Sequence, residues 1–253
     1  MRHVRARPLV VALAGASASG KSTVSSLLAE RGGGRRLPEA YDRLVPRPSL
    51  RYRSQPALRA LELRLLAEEA RRFHEARRAT RAGRRVVADT GFLDPVAYTT
   101  GLLVLGQATA ATAEAVLAEA ARLVARRRLG LPDLTVYLQV PPRERRRRAR
   151  LDPKARPPDL QARHDRVGAV EARIFRRCLA RAAPGRVRTL RADGTAAPVA
   201  DRVERLLAAA RPLDDPVAAA ATALAELRRH PAVARALGRS PKVKKATLSP
   251  RAP

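Results

Sequence analysis

VVALAGASASGKSTVSSLL, residues 10–28, sets a run of small and β-branched apolar residues directly before two glycines, a lysine, a serine and a threonine, then resumes a helical apolar pattern. That order decides the architecture. Residues 8–14 form a short, wholly apolar run, the mark of a strand buried on both faces of a parallel sheet. Gly15, Ala16, Ser17, Ala18, Ser19, Gly20, Lys21 and Ser22 fit G-x-x-x-x-G-K-[ST] at every fixed position, and Thr23 follows. Residues 21–31 then read as a helix that stops at Gly32–Gly34. Small residues let the backbone curl so that successive N–H groups point inward, and the helix N-terminus adds partial positive charge at the same place. In such a cradle Lys21 reaches the outer phosphates of a triphosphate, and the Ser22 hydroxyl is placed to ligate Mg²⁺. A glycine-rich turn without a ligand is the plain alternative.

Composition narrows the partner. Of 52 basic residues, 47 are Arg and five are Lys, yet the basic residue of the glycine loop is Lys21. The exception points to a need for a compact ammonium in place of a guanidinium fork. A net charge of +29 invites a nucleic-acid reading, but aromatic residues for base stacking make up only 3% of the chain and the arginines are spread along most of it. An Arg- and Ala-heavy composition poor in Lys is also what a GC-rich genome writes regardless of function. Nucleic acid is therefore not the expected partner. No apolar run approaches the roughly 18 residues of a membrane span, so no membrane partner is expected. The basic, then apolar N-terminus superficially resembles an export signal, but its apolar part is short and leads into the lysine-bearing loop where a cleavage site would belong. A cytoplasmic protein is expected. Cys178 is the single cysteine, and its spacing from Ile174 puts it on an apolar helix face as a buried thiol.

The rest of the chain alternates strand and helix signals. A short strand ends near Pro38. Ser54 caps a long helix with Pro56 in its first turn; Leu58, Leu61, Leu65 and Phe73 form its apolar stripe and Gly83 ends it. Residues 84–89 read as a strand, 95–106 and 108–128 as helices, and 132–140 as a strand. A helix starts at Pro141–Pro142 and is interrupted by the proline-rich LDPKARPPD, residues 151–159; another runs from about 160 to 182. Residues 185–193 hold the last strand and 196–211 a helix. This alternation predicts an α/β fold of three layers around a parallel sheet. The predicted organisation is one domain over 1–211 with a lid at about 143–163, an Ala-rich helical extension over 212–238, and a basic disordered tail over 239–253.

Three further features carry chemistry. Asp89 closes an apolar strand, where a carboxylate can hold the water shell of Mg²⁺ opposite the glycine loop. Glu39, after the second strand, can take a proton from a substrate hydroxyl or help organise the metal; a solvated loop glutamate is the alternative. The run RERRRRAR, residues 143–150, covers nearly every face of a helix, which suits a segment whose arginines meet anions once water is excluded. Arg148 and Arg150 are the candidates for phosphate contact, with Arg145 and Arg156 behind them.

These segments together resemble known enzymes. GASASGKST is similar to the P-loop of uridine kinases. PDLTVYLQVPPRERRRRAR, HDRVGAVEARIF and RADGTAAPVADRVERLL resemble stretches of thymidylate kinases and deoxynucleoside kinases, and the resemblance spans roughly residues 8–210. It implies a P-loop NTPase fold with a five-stranded sheet in the order 2-3-1-4-5, an arginine-rich lid, and Glu39 as the base. It also implies an Asp-containing turn near the adenine. One departure stands out: where thymidylate kinases carry Asp-Arg after the third strand, Asp89 is followed by Thr90 and Gly91. That weakens a nucleoside monophosphate as acceptor unless Arg43, Arg47, Arg51 or Arg53 replaces the lost arginine. Tyr41, Phe92 and Tyr98 are candidates to line the acceptor pocket, Phe92 equally for the core.

The expectation is an ATP-dependent, Mg²⁺-using kinase acting on a small-molecule acceptor, a nucleoside or nucleotide first. A P-loop ATPase or regulatory ATP-binding protein without a small acceptor is the alternative. The Ala-rich helices over 108–128 and 216–229 offer a surface for a homodimer.

Overall fold

The computed structural model describes residues 8–44, 54–151 and 158–238. The expectations placed on Arg47, Arg51, Arg53, Arg156 and the tail from 239 lie outside them.

β1 (Val10–Ala14), β2 (Arg35–Leu37), β3 (Val86–Asp89), β4 (Leu134–Gln139) and β5 (Val187–Arg191) form one sheet in the order β2-β3-β1-β4-β5, with every pairing parallel. This is the sheet of a P-loop NTPase, and it matches the expected order. The helices in chain order are α1 (Lys21–Arg31), α2 (Ala40–Leu44), α3 (Gln55–Arg81), α4 (Asp94–Val104), α5 (Ala110–Ala125), α6 (Pro142–Leu151), α7 (Pro158–Arg173), α8 (Phe175–Ala182), α9 (Ala196–Ala209), α10 (Pro216–Arg229) and α11 (Pro231–Leu237).

Period-2 alternation along the strands divides the core in two. Val11, Leu13, Val87 and Val136 face α1 and α9 and pack with Val24, Leu28, Val199 and Val203. Val10, Val86 and Ala88 face the opposite layer, where Leu66, Phe73, Phe92, Val96 and Leu117 pack. Leu13 pairs in register with both Asp89 and Val136. The C-terminal ends of β1 and β3 therefore lie level with the middle of β4, which runs on to Gln139, and together they form the edge at which open α/β sheets bind ligands.

Local chemistry sets the element ends. Ser54 caps α3 by accepting a hydrogen bond from the Ala57 amide, with a proline in the first turn, and Gly83 follows the helix at φ +77°. Leu58, Leu65 and Phe73 are buried as the stripe predicts, and Leu61 is half-buried. The same helix also buries Glu62, Glu68, Glu69 and Arg72, four charged residues that hydropathy would assign to solvent.

The helix expected to run unbroken from about 160 to 182 is two helices. Ile174 is distorted to φ −101°, ψ −65° within the right-handed region while its amide still bonds the Val170 carbonyl, and α8 begins after it. The reason lies in the partners: α7 packs on α4, where Gly101 leaves room for Val167, whereas α8 packs on α10. A Cβ on Gly101 would stand 2.8 Å from the Val167 side chain. Cys178, as expected, is buried on α8.

The C-terminal pair is part of the main core: Ala220, Ala223, Leu224 and Leu227 of α10 and Val233 of α11 are buried in the larger apolar cluster. Asp133 pins this region to the sheet. Its carboxylate accepts hydrogen bonds of 2.8 Å from the amides of Val10 and Leu213, so the start of β1 and the approach to α10 share one anchor. No described helix is long and apolar enough to cross a membrane.

Candidate functional site

The loop between β1 and α1 is wound as its residues require. Gly15 has φ +139°, and a Cβ there would stand 2.7 Å from the Leu138 carbonyl oxygen; Gly20 has φ +87°. Ala18 also takes a left-handed φ of 60°. Such a turn leaves amide groups pointing into its hollow. Lys21 is 9% exposed, and its ammonium donates to the carbonyls of Gly15 at 3.0 Å and Ala16 at 3.4 Å. It stands 3.5 Å from Glu39 Oε1. Ser22 and Thr23 lie exposed in the first turn of α1.

Beside the loop is a cavity of about 150 Å³ whose wall includes Gly15, Ala16, Ser17, Lys21 and Glu39. Five carboxylates line it, each from a different stretch or turn: Glu39 after β2, Glu62 and Glu69 one heptad apart on α3, Asp94 at the start of α4, and Glu171 on α7. Tyr41 and Tyr98 also line it, and Tyr98 stacks on His164 with ring centroids 5.6 Å apart. Burial raises the Glu69 carboxyl to about 8 against the pull of Arg72. Burial likewise raises Asp94, and the Glu39 charge adds to it. Glu171 is raised by burial first and by Asp94 second. Asp94 is exposed, and the surface it presents faces the partly open cavity, where the surrounding walls of protein still desolvate it.

Behind the wall, Arg72 is fully buried. Its guanidinium bonds Glu69 at 2.6 Å, the Leu37 carbonyl at 3.3 Å and the Asp89 carbonyl at 2.7 Å, and it lies 5.7 Å from the Phe92 ring centroid. It thereby ties α3 to the ends of β2 and β3. Thr90, next in sequence, has φ 71° and lines the cavity at 6% exposure.

A second hollow opens on the other side of the loop, between Ser19, Gly20, Thr23, Arg148 and the turn Ala192–Ala196. Arg148 reaches it from α6: its guanidinium donates to the carbonyls of Ala192 at 3.0 Å, Gly194 at 2.8 Å and Ser19 at 3.4 Å, and to Glu144 at 2.8 Å. Arg145 pairs with Asp165 at 3.1 Å and so joins α6 to α7.

A family model described as AAA domain matches residues 10–156, more than half of the chain. The chain belongs to the AAA domain family. No curated protein matches the sequence. Among solved structures, the AAA domain resembles deoxyadenosine kinase from M. mycoides with bound dATP (TM-score 0.61, 13% identity, 79% of this chain and 99% of that one). It also resembles the same enzyme with the products dCMP and dCDP (TM-score 0.59, 11% identity, 79% and 99%). Thymidylate kinase from Candida albicans aligns at TM-score 0.58 and 17% identity over 80% of this chain and 92% of that one. The fold is thus that of nucleoside and nucleotide kinases.

Within this AAA domain the sequence-predicted residues separate. Gly15 to Thr23 form the loop, and Lys21 and Glu39 meet beside it. Asp89 stands at the end of β3 but is fully buried, bonded at 2.6 Å by Arg36, and does not line the cavity; its Oδ1 has no partner among the described residues. Arg148 lies against the second hollow, and Arg150 is exposed at the end of α6. Arg43 pairs with Glu68 and Glu75, away from the cavity. Phe92 is in the core at 1% exposure, edge-on to Phe73. Sequence reading missed Glu62, Glu69, Asp94 and Glu171. The heptad spacing of Glu62 and Glu69 inside an apolar stripe was the available signal.

Proposed function

We propose that this protein is an ATP-dependent phosphotransferase that moves the γ-phosphoryl group to a hydroxyl of a small acceptor of nucleoside type. One observation carries the reading: the phosphate loop and a cavity share a wall at which Lys21 and Glu39 stand 3.5 Å apart. A cavity with a carboxylate beside the triphosphate end is what transfer to a bound hydroxyl requires and what simple hydrolysis does not.

The amides from Gly15 to Ser22 cradle the donor phosphates. Lys21, now held by two carbonyls, exchanges them for β- and γ-phosphate oxygens, which frees Glu39. Glu39 accepts the proton of the acceptor hydroxyl as its oxygen bonds to the γ-phosphorus, and the bond to the bridging oxygen of ADP breaks. Arg148 fixes α6 to the loop beside the hollow that fits the base, and the exposed Arg150 is the guanidinium left to meet phosphate oxygens. The exposed Ser22 hydroxyl and the phosphate oxygens would form an all-oxygen donor set of the kind that suits Mg²⁺, with the unpartnered Asp89 Oδ1 behind it. When bound, the ion neutralises phosphate charge.

The test is transfer of γ-labelled phosphate from ATP across hydroxyl acceptors. Lys21→Ala is expected to abolish transfer with the fold retained by circular dichroism, and Glu39→Gln to lower kcat by about 10²-fold or more at unchanged ATP affinity. Hydrolysis that no acceptor stimulates, or full turnover in Lys21→Ala, overturns the reading.

A further inference from the structure

We propose that the acceptor taken by the cavity is a hydroxyl compound bearing a positively charged nitrogen, a protonated amine or a quaternised ring nitrogen. The inference rests on the phosphotransferase reading and names the acceptor class for that site. A chain with 52 basic and 23 acidic residues has placed five of its carboxylates around one small cavity. Among the described residues no arginine lines it, and Lys21, the one strong cation there, belongs to the phosphate loop. The nearby arginines are engaged elsewhere: Arg36 on Asp89, Arg43 on Glu68 and Glu75, Arg72 on Glu69 from behind the wall.

With Lys21 matched to Glu39 and Arg72 matched to Glu69, Asp94 and Glu171 keep no ion-pair or hydrogen-bond partner among the described residues, on facing helices α4 and α7. Thr90 adds an independent sign of a ligand. The residue is 6% exposed, stands on the same wall in a left-handed conformation, and makes no side-chain hydrogen bond to a described residue, so its hydroxyl is available to the cavity. A hydroxyl facing the cavity and two carboxyl groups with no cation beside them form a recess that favours a cation, whose charge would draw both carboxyls to the ionised form, and that disfavours a phosphate monoester. Tyr41 and the stacked Tyr98–His164 pair add flat π faces suited to a charged ring or ammonium group.

The experiment measures binding to the full-length protein loaded with a non-hydrolysable ATP analogue, by calorimetry, for two matched series: 3-methylcytidine, cytidine and cytidine 5′-monophosphate; glucosamine, glucose and glucose 6-phosphate. Within at least one series the cationic member is expected to bind at least about tenfold more tightly than the neutral one, with the phosphorylated member weakest. The series that responds tells a nucleoside from an amino sugar. The combined Asp94→Asn, Glu171→Gln variant is expected to erase the preference. Equal or tighter binding of neutral or phosphorylated members, no binding by either cationic member, or a preference that survives the double substitution overturns the proposal. Failure to bind the ATP analogue at all is a separate result, and it overturns the phosphotransferase reading beneath.

Discussion

Glu171 shows what the cavity costs the fold. Its carboxyl is raised from 4.5 to about 8 by burial and by the Asp94 charge, with Glu39 opposing ionisation and Lys21 favouring it. A group whose folded-state pKa is raised binds more protons folded than unfolded, so its contribution is present at low pH and is lost as pH climbs from about 5 through 8. Glu171→Gln is therefore expected to raise the melting temperature at pH 8, by the equivalent of about 1 kcal/mol or more, and to lose that advantage near pH 5. Thermal unfolding at the two pH values checks it. Arg72 works in the opposite sense. Truncation to Met leaves Glu69 and two carbonyls without their donor in a dry interior, and a loss of about 3–5 kcal/mol is expected by urea denaturation. Phosphate-loop residues were legible singly because G-x-x-x-x-G-K-[ST] is a local constraint. The cavity carboxylates were not: each owes its role to a neighbour distant in sequence, and only the sheet order brings α3, α4 and α7 together.

At the scale of elements, legibility followed the same divide. The start and end of α1 were readable because a glycine turn precedes it and Gly32 follows, and α3 announced itself through Ser54 and a proline. What capping could not reveal was the break at Ile174. It arises from two different docking surfaces, α4 for α7 and α10 for α8, and no residue at the break forbids a helix. The close approach of α7 to α4 depends on Gly101. Gly101→Val places its Cβ within 2.8 Å of Val167 and is expected to lower stability by about 1–3 kcal/mol. Because α7 carries Glu171 and His164, the same variant is expected to weaken acceptor binding more than ATP binding, as separate titrations read out. Arg145 to Asp165 is the side-chain tie by which α6 would follow such a shift.

Across the whole molecule, a surface rich in arginine surrounds a cavity rich in carboxylates, so net charge alone misleads about what the site takes. The sheet order was available from the alternation of elements together with the resemblance; the cover over α4, α5 and α8 was not. Residues 212–238, read as an extension from their alanine content, bury Leu224, Leu227 and Val233 in the main core. Truncation after 211 removes that cover and the Asp133–Leu213 bond together. The shortened chain is expected to show no cooperative unfolding transition, since losses of about 2–5 kcal/mol per buried aliphatic exceed a typical domain stability. Differential scanning calorimetry decides this. A ribosome that has delivered all five strands has not yet delivered α10 and α11, which cover α4, α5 and α8, and the nascent chain waits with the outer apolar faces of those helices bare until the pair emerges. Chaperone dependence should thus concentrate between the emergence of β5 and that of α11.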